Sequence, residues 1–208
     1  MRLMEQALKR LKSGSARTAY EVCVLALLAS LLIVLSTCGF REARAQVQVA
    51  PAVVVHYSPA EDLEAIDLEI LDKATHQVDL VLYAFDDKPL AMELLALAKR
   101  GVAIRIYRDQ QQYQGEVARG KKGGANLTAL FAGQANVHIR IKGSIALAHL
   151  KSYCVDGAIV RDGSANWSVQ GEKVQDNSLL LISELSVATA FAQNFETLWA
   201  RPPNVIVQ

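Results

Sequence analysis

The stretch Ala148 to Gly157 (AHLKSYCVDG) ends on Asp156-Gly157, and a second short apolar run follows before Gly163. An Asp-Gly pair flanked in this way is a strong hairpin signal, because the tightest strand-joining turns need positive φ and Gly adopts it freely. A β-hairpin is therefore pinned late in the chain. Side chains alternate along a strand, so His149 and Lys151 share one face, and Ser164 and Asn166 share another just beyond the second run. Closing the hairpin brings the two pairs onto neighbouring strands. An imidazole, an ammonium, a hydroxyl and an amide then converge on one spot, a set of groups suited to a phosphate. Cys154 falls on the opposite strand face and reads as a small buried apolar residue.

The rest of the chain alternates strand and helix signals. Residues 52–57 (AVVVHY) predict a strand. Ser58-Pro59-Ala60-Glu61 has the form of a capping box with Pro at the first helical position, and Leu63, Ile66, Ile70 and Leu71 continue a helical stripe. Residues 78–85 predict a buried strand, 89–100 a helix stopped by Gly101, and 102–107 another strand. Residues 108–125 are polar and glycine-rich and predict the longest loop. A short helix over 127–131, a strand over 137–141, a strand over 178–182 and a helix over 187–199 complete the pattern. The expectation is an α/β domain, a mixed β-sheet sandwiched by helices.

The N-terminal 45 residues read as a leader. Arg2, Lys9, Arg10, Lys12 and Arg17 precede the apolar run Val22 to Leu35, and Ala43-Arg44-Ala45 offers a small-residue cleavage site. This predicts a signal peptide over 1–45, a functional domain over 46–208 and a periplasmic or secreted location. An uncleaved membrane anchor, or lipidation at Cys38, are the alternatives. Cleavage would leave Cys154 as the single cysteine, so no intrachain disulfide could form. It would also leave 15 basic and 18 acidic residues, a net charge of −3. Within that domain residues 99–173 carry 12 basic and 5 acidic side chains, a local footprint for a polyanion on an otherwise acidic protein.

His149-x-Lys151-x4-Asp156, followed by Gly163-Ser164-x-Asn166, resembles the signature of the phospholipase D superfamily. The leader, the order of elements and the small size are similar to its short single-motif bacterial nucleases. The resemblance implies a metal-independent phosphodiesterase with no cofactor, acting on nucleic acid without sequence preference; phospholipid headgroups are the alternative substrate. It implies that His149 attacks phosphorus to form a phosphohistidine while a second, protonated imidazole supplies the leaving oxygen with a proton. Lys151 and Asn166 would hold the non-bridging oxygens, and Ser164 would donate to the phosphate or fix a neighbour. Because one chain carries one motif, the resemblance implies a homodimer with a composite site at its two-fold axis. Asp156, at the turn, is expected to hold the loop by hydrogen bonds. A carboxylate that orients the histidine is usual eleven residues beyond the motif asparagine; Asn177 stands there, and Asp176 is the substitute expected. His56, His76 and His138 read as structural or surface residues, Trp167 as core, and the Lys121-Lys122 pair as a backbone contact or a solvated loop. A membrane would be a partner only if the leader stays attached.

Overall fold

Strands Gln77–Leu82 (β2), Ala103–Arg108 (β3) and Val137–Ile141 (β4) run parallel at the centre of an eight-stranded sheet. The order across it is β1-β7-β6-β5-β2-β3-β4-β8, with β1 at Val53–Ser58, β5 at Lys151–Val155, β6 at Ile159–Gly163, β7 at Asn177–Ile182 and β8 at Val205–Ile206. All neighbours other than β2–β3 and β3–β4 pair antiparallel, so the sheet is mixed, as expected. This computed structural model describes residues 52–207, together with Arg2 and Glu5. The chain divides into two units, Met1–Val49 and Ala50–Gln208, and the eight strands among the described residues belong to the second. Apart from Arg2 and Glu5, the leader lies outside the described residues, as does its cleavage site. Among the described residues no helix is long and apolar enough to cross a membrane.

Strand alternation sorts the core into two layers. Val78, Leu80, Leu82, Ile104, Ile106, Ile139, Tyr153 and Val155 face helices Leu63–Asp72 (α1) and Lys88–Lys99 (α2). Val81, Tyr107, Cys154 and Val160 face helix Leu185–Trp199 (α5) through Ala188, Phe195 and Leu198. Cys154 is buried there, and burial pushes its thiol up to about 11, so it is an inert packing residue.

Two expectations are corrected. Residues 110–121 are helix α3 (Gln110–Lys121) and not a loop: the Asp109 carboxylate caps it by accepting from the Gln111 and Gln112 N–H groups. Buried Arg108 pairs with Glu116 on the helix's inner face, which offsets its weak polar sequence. The capping box at Ser58 does not form. The Ser58 hydroxyl donates to the Gln175 carbonyl instead, and Asp62 caps α1 four residues later. A short helix Val169–Lys173 (α4) and strand β8 are additions to the expected pattern.

The hairpin has the predicted turn, with φ of +51° at Asp156 and +66° at Gly157. The Asp156 carboxylate accepts from the Thr75, His76 and Gln77 N–H groups and the Thr75 hydroxyl at 2.7–2.9 Å, lashing the turn to the α1–β2 connection. Burial raises this carboxyl, but the donors, led by the Gln77 N–H, outweigh it and bring it down to about 2. A carboxyl depressed from about 3.9 in the unfolded chain stabilises the fold fully above that pH and loses the contribution as pH falls towards 2. Asp156→Asn keeps a residue type that tolerates the left-handed turn yet weakens the donors' partner. It is expected to lose about 2 kcal/mol near neutrality. Urea unfolding should show the gap to wild type closing between about pH 4 and pH 2.

Candidate active site

The site sits where the C-terminal ends of β2 and β3 meet the start of antiparallel β5, the edge at which open α/β sheets place their ligands. His149 precedes β5 and is exposed. Its ring packs edge-on against Tyr83, with centroids 4.6 Å apart. Lys151 is the first residue of β5 and is 6% exposed. Its Nζ donates to the His149 carbonyl at 2.6 Å and lies 4.9 Å from the centre of the same Tyr83 ring. Tyr83 is therefore the shared wall of the predicted pair. Burial lowers the Lys151 ammonium below the ordinary lysine value. Just upstream, the buried Asp109 cap also accepts the Ala148 N–H at 2.9 Å, fixing the approach to His149.

The second half of the motif follows β6. Gly163 has φ +150°, and a Cβ there would lie 2.2 Å from the Ser178 carbonyl oxygen, so the position admits no side chain. The exposed Ser164 hydroxyl donates to Asn177 Oδ1 at 2.8 Å and accepts the Ser178 N–H at 3.0 Å. Asn166 is half-buried, and its Oδ1 is buried with no hydrogen-bond partner among the described residues. Its backbone is pressed against Gly171, where a Cβ would meet the Asn166 carbonyl oxygen at 2.4 Å. Trp167 next to it is fully buried in the core and pairs with Phe85 beyond the end of β2.

The two halves meet through Arg161, which is fully buried. Its Nη1 donates to the Lys151 carbonyl at 2.6 Å and the Ala165 carbonyl at 3.3 Å. Its Nε and Nη2 hold both oxygens of buried Asp67 at 3.1 and 3.0 Å, and Nη2 also reaches Glu172 at 3.2 Å. Asp67 further accepts from the Tyr153 hydroxyl and the Trp167 indole. Burial, reinforced by the neighbouring Asp67 charge, pushes the Glu172 carboxyl up to about 8 despite Arg161.

Of the expected site residues, the structure brings His149, Lys151, Ser164 and Asn166 to one edge of the sheet. Asp156 stands at the far end of β5 in its holding role. Asp176 is exposed just before β7, and it is Asn177, not Asp176, whose side chain meets the site, by way of Ser164. His56 pairs with Glu61, His76 is exposed beside Asp156, and His138 is exposed on β4. Lys121 and Lys122 are exposed at the end of α3. Tyr83, Arg161 and Asp67 were not among the expected residues. A tyrosine ending the aliphatic run VDLVL was the one signal for the first.

Comparison with known proteins adds a family. The domain described as "Cardiolipin synthase, PLD-like domain" matches residues 68–199. The chain is 30% identical over 132 residues to the mitochondrial cardiolipin hydrolase of Xenopus tropicalis, covering 64% of this chain and 59% of that protein's length. Among solved structures it is similar to the phospholipase D family member Nuc from Salmonella typhimurium, with a TM-score of 0.63 and 23% identity, covering 75% of this chain and 97% of that one. NucT from Helicobacter pylori is similar at a TM-score of 0.61 and 18% identity, covering 71% and 94%.

Proposed function

Since the chain belongs to the phospholipase D-like domain family, we propose that it hydrolyses phosphodiesters, with DNA as its substrate, through a phosphohistidine on His149. The observation that carries this reading is the exposed imidazole beside a buried ammonium on one tyrosine ring, with the Asn166 turn tied to the same strand by Arg161.

In the proposed reaction an unprotonated ring nitrogen of His149 attacks phosphorus, and the phosphorus–oxygen bond to the leaving group breaks. A protonated histidine from a second copy of the chain gives its proton to the departing oxygen and then takes one from the water that attacks the phosphohistidine. The P–N bond breaks and both imidazoles return to their starting states. Lys151 and the Asn166 amide balance charge on the non-bridging oxygens. These steps account for the chemistry with side chains alone, and the homodimer follows from the need for two imidazoles. Contacts confined to phosphate carry no base information, so cleavage is expected to be indifferent to sequence.

A lipid headgroup is the second reading. It is favoured by Ile145, Leu147 and Leu150, which are 81%, 46% and 41% exposed around His149. The discriminating experiment incubates the protein with plasmid DNA and, separately, with cardiolipin vesicles, each with excess EDTA. Nicking that persists in EDTA is the expected result. Turnover of lipid with intact plasmid would move the assignment to the second reading, and loss of all activity in EDTA would overturn the metal-independent route.

A further inference from the structure

The Arg161 guanidinium has five N–H donors in a rigid fork, and here each has a partner: two on Asp67, one on Glu172, one on the Lys151 carbonyl and one on the Ala165 carbonyl. Side chains of Asp67, Arg161 and Glu172 are all fully buried. An ion cluster this deep is weak evidence of stabilisation, because removing charges from water costs about as much as their attraction returns. Its geometry is more informative. Two of the five donors leave the carboxylates and end on main-chain carbonyls, one on each half of the histidine-lysine and serine-asparagine motif.

Those carbonyls belong to Lys151 itself and to the residue before Asn166. Asp67, on the other side of the fork, takes the indole N–H of Trp167, the residue after Asn166. Asn166 is thus held on both flanks by one ion pair, while its own Oδ1 has no partner among the described residues. The side chain's position is set from its backbone and not from its amide.

We infer that Arg161 is the positioning residue of this site, fixing the separation between the Lys151 ammonium and the Asn166 amide so that both address one phosphodiester. The inference rests on the phosphodiesterase reading. Arg161 does not touch substrate; it acts through the carbonyls of Lys151 and Ala165. A lysine in its place presents three donors from a single point and cannot span two carboxylates and two carbonyls at once.

The test compares wild type, Arg161→Lys, Asn166→Ala and the double variant for kcat and KM on the substrate that wild type cleaves. Arg161→Lys is expected to lower kcat about 100-fold, the scale of a misplacement near 1 Å. Added to Asn166→Ala it is expected to cost clearly less than its roughly 100-fold effect in the wild-type background, because one of the two groups whose separation it fixes is already gone. A merely structural arginine would give losses that multiply in the double variant. Should Arg161→Lys not fold, the charge-neutral set Arg161→Met, Asp67→Asn and Glu172→Gln removes the fork without stranding a buried charge. It is expected to fold and to show the same kcat loss. Activity within threefold of wild type in a folded variant, or multiplicative losses, overturns the inference while leaving the phosphodiesterase reading intact. Failure of both variants to fold also overturns it, by making Arg161 a requirement of the fold. An inactive wild type would instead remove the reading on which it rests.

Discussion

His149→Ala is expected to lower phosphodiester cleavage by about 10⁴- to 10⁶-fold and to leave the protein folded. The scale is that of enzymes from which a nucleophile has been removed. The expectation of intact folding comes from the environment of the ring, which is exposed and meets Tyr83 only along an edge. Its loss should move the thermal midpoint by no more than about 3 °C. His149→Asn should behave the same way, since an amide neither forms the covalent adduct nor shuttles a proton. Acid-quenched wild type should carry phosphate on His149, detected by mass spectrometry of the peptide around it. A His149→Ala protein retaining more than a few per cent of the rate would end the phosphohistidine route.

Lys151→Met is expected to lower kcat by about 10³-fold, the upper end of the loss when one preorganised stabilising group is removed. Methionine has the length to fill the buried slot against Tyr83, so near-UV circular dichroism should be unchanged. The pH dependence separates charge from shape. Burial lowers the Lys151 ammonium, so the charge that activity needs is present at low pH and is lost as pH rises through that lowered value. Lys151→Arg stays charged throughout and should move the alkaline limb of kcat/KM upward while reducing its height. An alkaline limb that Lys151→Arg leaves in place would assign it to another group. The sequence alone suggests a lysine charged at every working pH; its burial beside Tyr83 is what brings discharge closer.

How much of this was legible depended on the range of the interactions involved. The hairpin was, because Asp156-Gly157 encodes its turn locally, and the alternation of His149 with Lys151 then fixed their common side. The parallel core strands were legible from their aliphatic runs. Helix α3 was not. Its sequence is polar, and its stability comes from Asp109, which caps it, and from Arg108 gripping Glu116 in the interior. Neither contact has a periodic signature. The misplaced start of α1 has a similar origin: Glu61 turns back to the Tyr57 N–H and the His56 ring, delaying the helix until Asp62. Arg161 was the hardest to see. An arginine closing a short apolar run resembles a solvated strand end, and it is a core residue through partners remote from any local pattern, chief among them Asp67, 94 residues earlier.

The strand order also constrains how the protein is made. Strand β2 pairs with β3 on one side, 26 residues later, but with β5 on the other side, where Leu82 meets Lys151. A ribosome adding about 5–20 residues per second leaves that inner edge of β2 unpaired for roughly 3–14 s. Leu80 and Leu82 are wholly buried in the finished fold, so the waiting intermediate offers an apolar strand edge to any other chain. Mutations that slow hairpin closure, Asp156-Gly157 foremost, would therefore reduce the yield of soluble protein before they touched the rate of a folded molecule.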